Sequence, residues 1–220
     1  AFISIIHEDR DGNLWIGTQG GGLFRLIRGG GGHSDKWVQL QNDRSNPKSL
    51  SDNFINAIGE DHAHALWIGT NGGLNKLIQN IPSQETFSRF RHDSKNSSSL
   101  ASDRILSVFE DRGGVLWIGT DGGGLDRFDQ GRFIHSRHDP ADFNSLSENR
   151  VWAMVEDAAE TLWIGTGGGL SKLDRKPRKF AHYRKEPNNP NSLSHDYVWS
   201  ICESRDGLVW IGTNGGGINQ

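Results

Sequence analysis

The sequence has a single cysteine, no long apolar run and no cluster of basic residues, and each absence excludes something. Cys202 is the only cysteine among 220 residues, so no disulfide can form within the chain. No stretch approaches the roughly 18 continuous apolar residues of a membrane-spanning helix, so we expect no span. The 24 Lys and Arg are scattered among 27 Asp and Glu, for a net charge of −3. Nucleic acid is therefore not expected as a partner, because neutralising phosphates requires clustered cations.

Two further signals are missing from the chain. Apolar residues show no helical periodicity longer than one turn, which favours an all-β protein. The chain opens at Ala1-Phe2-Ile3-Ser4 without a basic segment before a long apolar run, so no signal peptide is visible.

What the sequence does contain is one phrase, Leu/Val-Trp-Ile-Gly-Thr, in five copies, each followed by a glycine-rich turn. Its tryptophans are Trp15, Trp67, Trp117, Trp163 and Trp210, and its glycines are Gly17, Gly69, Gly119, Gly165 and Gly212. A recurring spacing of about 50 residues indicates an array of supersecondary units. We predict a structural role for these ten residues, with the tryptophans packed between neighbouring repeats.

Each period predicts four short antiparallel strands. An apolar run ends in an acidic pair, the tryptophan strand follows, a third strand alternates around a cation, and a polar fourth strand forms the outer edge. This pattern is typical of β-propeller blades and fits a β-helix less well. We predict one propeller repeat region over 1–220, with approximate repeats 1–52, 53–102, 103–148 and 149–195 and a partial repeat 196–220.

The phase of the repeats gives four full blades plus a partial fifth, which we expect to be an incomplete ring or a fragment of a larger propeller. No fourth strand precedes the first blade to complete the last one. We therefore expect either a longer propeller or self-association of copies that complete one another. The polyglycine segment between the third and fourth strands of the first blade is expected to be a flexible surface connector.

The repeat resembles the two-component regulator propeller family. The family's apolar run, Glu-Asp pair, LWIGT strand and Gly-Gly-Leu turn are all present. The acidic pair is Glu8-Asp9, Glu60-Asp61, Glu110-Asp111 and Glu156-Asp157, whereas the fifth copy has Glu203-Ser204. The resemblance implies a sensor module on the periplasmic or extracellular side of a bacterial inner membrane protein, placed before a membrane helix and a signalling output. It also implies that some members sense oligosaccharides.

In a repeat protein we expect function where the copies differ. The second residue of the innermost strand is Ser4, Asn56, Leu106, Trp152 and Trp199, in chain order, and Tyr197 lies just before the last of these. Trp152, Tyr197 and Trp199 could form a stacking platform for a sugar ring of an oligosaccharide or another small extracellular ligand. The alternative is that these rings only fill the wide end of an irregular ring of blades.

Other motifs point to no chemistry. The Gly-Thr-x-Gly-Gly turns lie between strands, whereas a phosphate cradle opens a helix, so we interpret them as turns. We identify no catalytic residues, no metal site and no cofactor site. The first hypothesis is a non-enzymatic sensory, ligand-binding module of a bacterial receptor. The second is a protein–protein interaction or oligomerisation scaffold, and the third is a propeller hydrolase or lyase.

Overall fold

The computed structural model describes residues 1–29, 34–79, 81, 84–175 and 178–220, and these residues form strands, turns and connections. The first blade contains β1 (Phe2–Glu8), β2 (Leu14–Gln19), β3 (Leu23–Ile27) and β4 (Lys36–Leu40). The second contains β5 (Ile55–Glu60), β6 (Leu66–Thr70), β7 (Gly73–Gln79) and β8 (Thr86–Phe90). The third contains β9 (Ile105–Glu110), β10 (Leu116–Thr120), β11 (Leu125–Asp129) and β12 (Arg132–Ser136).

The fourth blade contains β13 (Val151–Glu156), β14 (Leu162–Thr166), β15 (Gly169–Arg175) and β16 (Arg178–Tyr183). The last repeat contributes β17 (Val198–Glu203), β18 (Val209–Thr213) and β19 (Gly217–Asn219). Neighbouring strands of a sheet are consecutive in the chain and antiparallel. The fold prediction is confirmed: the chain is all-β, with four full propeller blades and a three-stranded fifth.

The chain divides into two compact units, residues 1–110 and residues 111–220. The first unit has a core in which Trp15, Leu50, Ile55 and Ile68 are fully buried. The second unit has a smaller cluster around Leu170 and Val198, against which Trp163 packs. Each unit thus buries apolar side chains from successive blades and from the connections between them.

The innermost strand of each blade ends one residue earlier than the apolar run with its acidic pair suggests. The strand ends at the glutamate of the pair, and the next residue opens the turn. The reason is local, because the aspartate side chain accepts hydrogen bonds from its own turn. Asp9 Oδ1 accepts the Asn13 backbone N–H at 2.8 Å, and Asp61 Oδ1 accepts that of Ala65 at 2.8 Å.

This turn keeps one backbone shape although its sequence varies. A residue with positive φ recurs at the same point in all five repeats, where only three of the copies have glycine. These residues are Gly12, His64, Gly114, Glu160 and Gly207, with φ of 79°, 61°, 76°, 61° and 81°. Non-glycine residues adopt this region at a cost, so the hairpin geometry takes precedence over local preference.

Two sequence expectations concern other parts of the chain. The tip of the polyglycine segment, residues 30–33, lies outside the described residues. Within the described residues, no helix has the length and apolar character needed to cross a membrane.

Candidate ligand-binding site

Four of the five repeat tryptophans are held by the aspartate of the acidic pair in the same blade. The indole Nε1–H donates to the aspartate Oδ2 at 2.7–2.8 Å in four blades, through Trp15–Asp9, Trp67–Asp61, Trp117–Asp111 and Trp163–Asp157. In the fifth repeat, Trp210 donates to the Ser204 hydroxyl at 3.2 Å. The carboxylate therefore satisfies the one polar atom of a large packed ring.

A cation of the third strand packs over the repeat tryptophan in three blades. Arg25, Lys76 and Lys172 are each directly opposite the tryptophan of their own blade in the strand register. Their charged groups lie 5.2, 4.8 and 5.8 Å from the ring centroids. In these three blades the recurring cation of the sequence is thus a cation–π partner of the repeat tryptophan.

The glutamate of the acidic pair bonds to the preceding blade. Glu60 accepts the backbone N–H of Arg10 at 3.0 Å, and Glu156 accepts that of Arg112 at 2.6 Å. Glu203 accepts the N–H of Ala158 at 2.8 Å. The two acidic residues therefore have different roles: the aspartate bonds within its own blade, and the glutamate connects that blade to the preceding one.

The repeat glycines lie where the next blade comes closest. A Cβ on Gly17 would lie 2.6 Å from a methyl of Ile55, and one on Gly69 would lie 2.6 Å from a methyl of Ile105. Gly165 meets Val198 in the same way. A larger residue would push the blades apart, which gives these glycines a packing role.

The positions at which the copies differ coincide with a β-bulge. The pairing of the innermost strand with the tryptophan strand shifts register at Ser4, Asn56, Trp152 and Trp199, which are each skipped in the ladder. A bulge leaves one residue unpaired and redirects its side chain. The backbone therefore presents the variable side chains in the same way in these four blades.

In the first unit the bulged side chains are polar and bond to the next blade. Ser4 Oγ donates to the Ile55 carbonyl at 2.5 Å. Asn56 Nδ2 donates to the Ile105 carbonyl at 2.8 Å and to Asn71 Oδ1 at 2.9 Å. These side chains act as tethers between blades.

In the second unit the bulged side chains are aromatic and meet in a cluster with Tyr197. The Trp152 centroid lies 4.7 Å from that of Trp199 and 5.6 Å from that of Tyr197, and the Tyr197–Trp199 distance is 4.9 Å. The rings are tilted by 40–51° to one another. All three predicted platform residues are thus in mutual contact, in an arrangement typical of aromatic pairs.

Two features give this aromatic cluster polar groups. The Trp152 Nε1 atom is buried and has no hydrogen-bond partner. The Trp199 residue is 45% exposed. Arg150 donates through Nε to Asp121 Oδ1 at 2.6 Å and also bonds to the Tyr197 side chain. The Asp121 hydrogen bond and charge raise the pKa of the Arg150 guanidinium, which stays charged at physiological pH.

Sequence reasoning missed Arg150 and Asp121. Arg150 occupies the position of Tyr197 in the preceding repeat, directly before the innermost strand, where the copies also differ. Extending the comparison of copies by one residue in every blade would have found it. Asp121 could be found only from the structure, where an isolated bridge pairs it with Arg150.

The arrangement offers a partly exposed aromatic surface, one buried N–H donor and an arginine with donors beyond the one that bonds Asp121. Such groups are suited to binding and orienting a ligand. Among the described residues, no group of three or more His, Cys, Asp or Glu is arranged to hold a metal ion.

The fold and site define a β-propeller repeat protein with one aromatic cluster at the bulges of its second unit. A family described as two component regulator propeller matches residues 1–20, 49–72, 99–122, 145–168 and 192–215, one segment per repeat. The chain belongs to this family. No curated protein matches it significantly.

Solved structures of low sequence identity share the fold. The extracellular domain of a B. thetaiotaomicron hybrid two component system has a TM-score of 0.57 at 19% identity over 99% of this chain and 39% of that one. PorZ, a surface component of the type-IX secretion system of Porphyromonas gingivalis, has a TM-score of 0.70 at 19% identity over 98% and 31%. Virginiamycin B lyase from Staphylococcus aureus has 0.61 at 12% over 99% and 68%. The chain thus spans between three tenths and two fifths of the length of the first two chains.

Proposed function

We propose that this chain is a non-enzymatic sensory module that binds a small extracellular ligand with the cluster of Trp152, Tyr197 and Trp199. The observation that carries the proposal is the contact of these three rings beside a buried indole N–H without a partner. Packing alone requires only apolar bulk at this position, as Leu106 provides in the third blade. A buried N–H donor without a partner is costly unless a ligand accepts it.

A neutral sugar ring of an oligosaccharide fits this chemistry. The apolar face of a pyranose packs against the exposed Trp199 ring, while its hydroxyl groups accept from the guanidinium of Arg150 and, once the cluster opens around it, from the buried indole N–H of Trp152. Asp121 holds that guanidinium in place through Nε, and the N–H groups that bond neither Asp121 nor Tyr197 remain for the ligand. The tilted rings leave Trp199 accessible as the contact surface.

The signalling context follows from the family and is part of the same proposal. Membership in a two component regulator propeller family and the fold shared with an extracellular receptor domain support a location outside the cytoplasmic membrane. In this role the module would report ligand binding to an output domain in the same receptor.

Tryptophan fluorescence of the domain, titrated with a panel of neutral oligosaccharides, tests the proposal. We expect a saturable change that Trp199→Ala abolishes. Trp152→Phe should weaken binding at least fivefold, because it keeps a ring but removes the N–H donor. Trp37→Ala is the matched control, since Trp37 is 46% exposed and lies on β4, outside the cluster. No saturable change with any sugar, or equal loss in the Trp37 variant, would refute sugar binding.

A second candidate function is a scaffold for protein association. It is favoured by the exposed apolar side chains of β1, since Phe2, Ile3 and Ile6 are 81%, 60% and 60% exposed. Light scattering after size-exclusion chromatography decides whether copies associate. A stable oligomer disrupted by Ile6→Lys supports the scaffold, and a monomer at all concentrations counts against self-association.

A further inference from the structure

A pocket in the first unit is lined by three arginines. It has a volume of about 320 Å³ and is formed by Asn42, Arg44, Ser51, Asp52, Arg89 and Arg91. Arg44 comes from the connection between the first two blades, whereas the other two arginines come from the end of the second blade. Three cations and one carboxylate give this arginine pocket a formal charge of +2.

Arg89 is fixed in place by the connection beside it. Its Nε donates to the Ser49 carbonyl at 2.7 Å, and one terminal nitrogen donates to the carbonyls of Asn46 and Leu50 at 2.8 and 3.0 Å. Arg91 donates to the Ser51 carbonyl at 3.3 Å. Because these acceptors are neutral, the bonds orient both guanidinium groups without neutralising them.

The nearby carboxylates are occupied by their own loops. Asp52 accepts the Phe54 N–H at 2.7 Å, and Asp43 accepts from the Ser45 backbone and hydroxyl at 2.9 and 2.7 Å. Burial and the like charge of Arg91 lower the pKa of Arg89, while Asp43 partly offsets them. The two arginines are therefore held close together with too little negative charge around them.

The equivalent place in the fourth blade lacks this excess of cations. There Pro140 and His182 replace Arg44 and Arg89, while Arg184 corresponds to Arg91. His182 Nε2 contacts the Ser145 carbonyl at 2.6 Å, and Arg184 donates to the Ser147 carbonyl at 3.1 Å. Holding the connection thus requires neither Arg44 nor a cation at position 89.

We propose that the arginine pocket is a binding site for a doubly charged oxyanion, a sulfate or phosphate group, held by Arg44, Arg89 and Arg91. Guanidinium N–H groups bind such oxyanions, and Arg89 presents the terminal nitrogen that its bonds to the connection leave unused. A group with two negative charges neutralises the excess charge of the pocket. This site is independent of the aromatic cluster, and its test does not depend on sugar binding.

Isothermal titration calorimetry at pH 8 tests the assignment, with sodium sulfate, phosphate and acetate at matched ionic strength. We expect sulfate and phosphate to bind, with acetate at least fivefold weaker. Arg44→Ser and Arg89→His should each lower the affinity for sulfate at least tenfold. Serine is chosen for position 44 because Ser94 occupies the corresponding position of the next connection. Histidine is chosen for position 89 because His182, its counterpart in the fourth blade, bonds to the connection, and an ordinary histidine is neutral at pH 8.

Arg184→Gln is the matched control, because it removes the corresponding arginine of the fourth blade. It should change sulfate affinity less than twofold. Absence of sulfate binding, acetate binding equal to sulfate, or an equal loss in all three variants would each overturn the assignment. Circular dichroism of each variant shows that a loss of binding is not a loss of fold.

Discussion

The two units use the same backbone bulge for different purposes. In the first unit, Ser4 and Asn56 donate hydrogen bonds to a carbonyl of the next blade. In the second unit, Trp152 and Trp199 occupy the same bulges and contact each other and Tyr197. A bulge that joins blades in one half of the chain therefore presents an aromatic surface in the other. The difference separates what the fold requires from what the sequence adds.

The largest effect is expected from Trp152→Ala, which removes the ring shared by two aromatic contacts. Loss of a large, mostly packed ring leaves a cavity, so we expect about 3 kcal/mol less stability in urea unfolding. Trp37→Ala on an exposed strand should cost under about 1 kcal/mol. A cost for Trp152→Ala as small as that of the control would mean that the aromatic cluster adds nothing to the fold.

An intermediate effect is expected from Asn56→Ala in the first unit. This change removes the donor to the Ile105 carbonyl and the bond to Asn71, so we expect a loss of about 1.5 kcal/mol. Ser4→Ala, at a more exposed bulge, should cost about 0.5 kcal/mol. If Asn56→Leu, which copies the third blade, is as stable as the parent, the polar tether is not needed and the comparison of the units fails.

A further, pH-dependent effect should appear in both units. Burial alone raises the pKa of Asp61, but the bonds from the Trp67 indole and the Ala65 N–H outweigh it and lower the pKa below its ordinary value. The pKa of Asp157 is lowered in the same way, because hydrogen bonds from the Trp163 indole and the Thr161 N–H outweigh the effect of burial. A folded pKa below the unfolded one, which is near 3.9, contributes stability above about pH 4 that is lost as the pH falls.

Urea unfolding between pH 3 and pH 7 measures this contribution. Trp67→Phe removes the indole donor and should flatten the pH dependence, in addition to lowering stability at pH 7. An unchanged slope in Trp67→Phe would show that the Trp67–Asp61 bond does not set the pKa of Asp61.

The sequence contains enough to predict the blades, their number and the position of the aromatic cluster. Strand alternation and the five copies of one phrase carry that information, because backbone pairing follows the pattern of apolar residues. The different roles of the two acidic residues were not predicted. The aspartate bonds within its own blade and the glutamate bonds to the preceding blade, and the repeat pattern alone does not show this difference. Arg150 and the arginine pocket depend on side chains from separate connections, which a single repeat does not reveal.

The smallest effect is expected where the fifth repeat departs from the others. Ser204 replaces the aspartate that receives the tryptophan indole elsewhere, and its bond to Trp210 is long, at 3.2 Å. Ser204→Asp should add about 0.5 kcal/mol at pH 7, because a carboxylate is a stronger acceptor, and little more because Trp210 is 38% exposed. The Ser204 hydroxyl also donates to Asp206 Oδ1, and Ser204→Asp loses that bond and places a second carboxylate beside Asp206, which keeps the net gain small; the first blade has the same spacing in Asp9 and Asp11. Ser204→Ala provides the control, with a loss of about 0.5 kcal/mol.

Since only the ionised form of the introduced aspartate can provide the extra stability, the gain must disappear below about pH 4. A gain that persists there would come from something other than the indole–carboxylate bond.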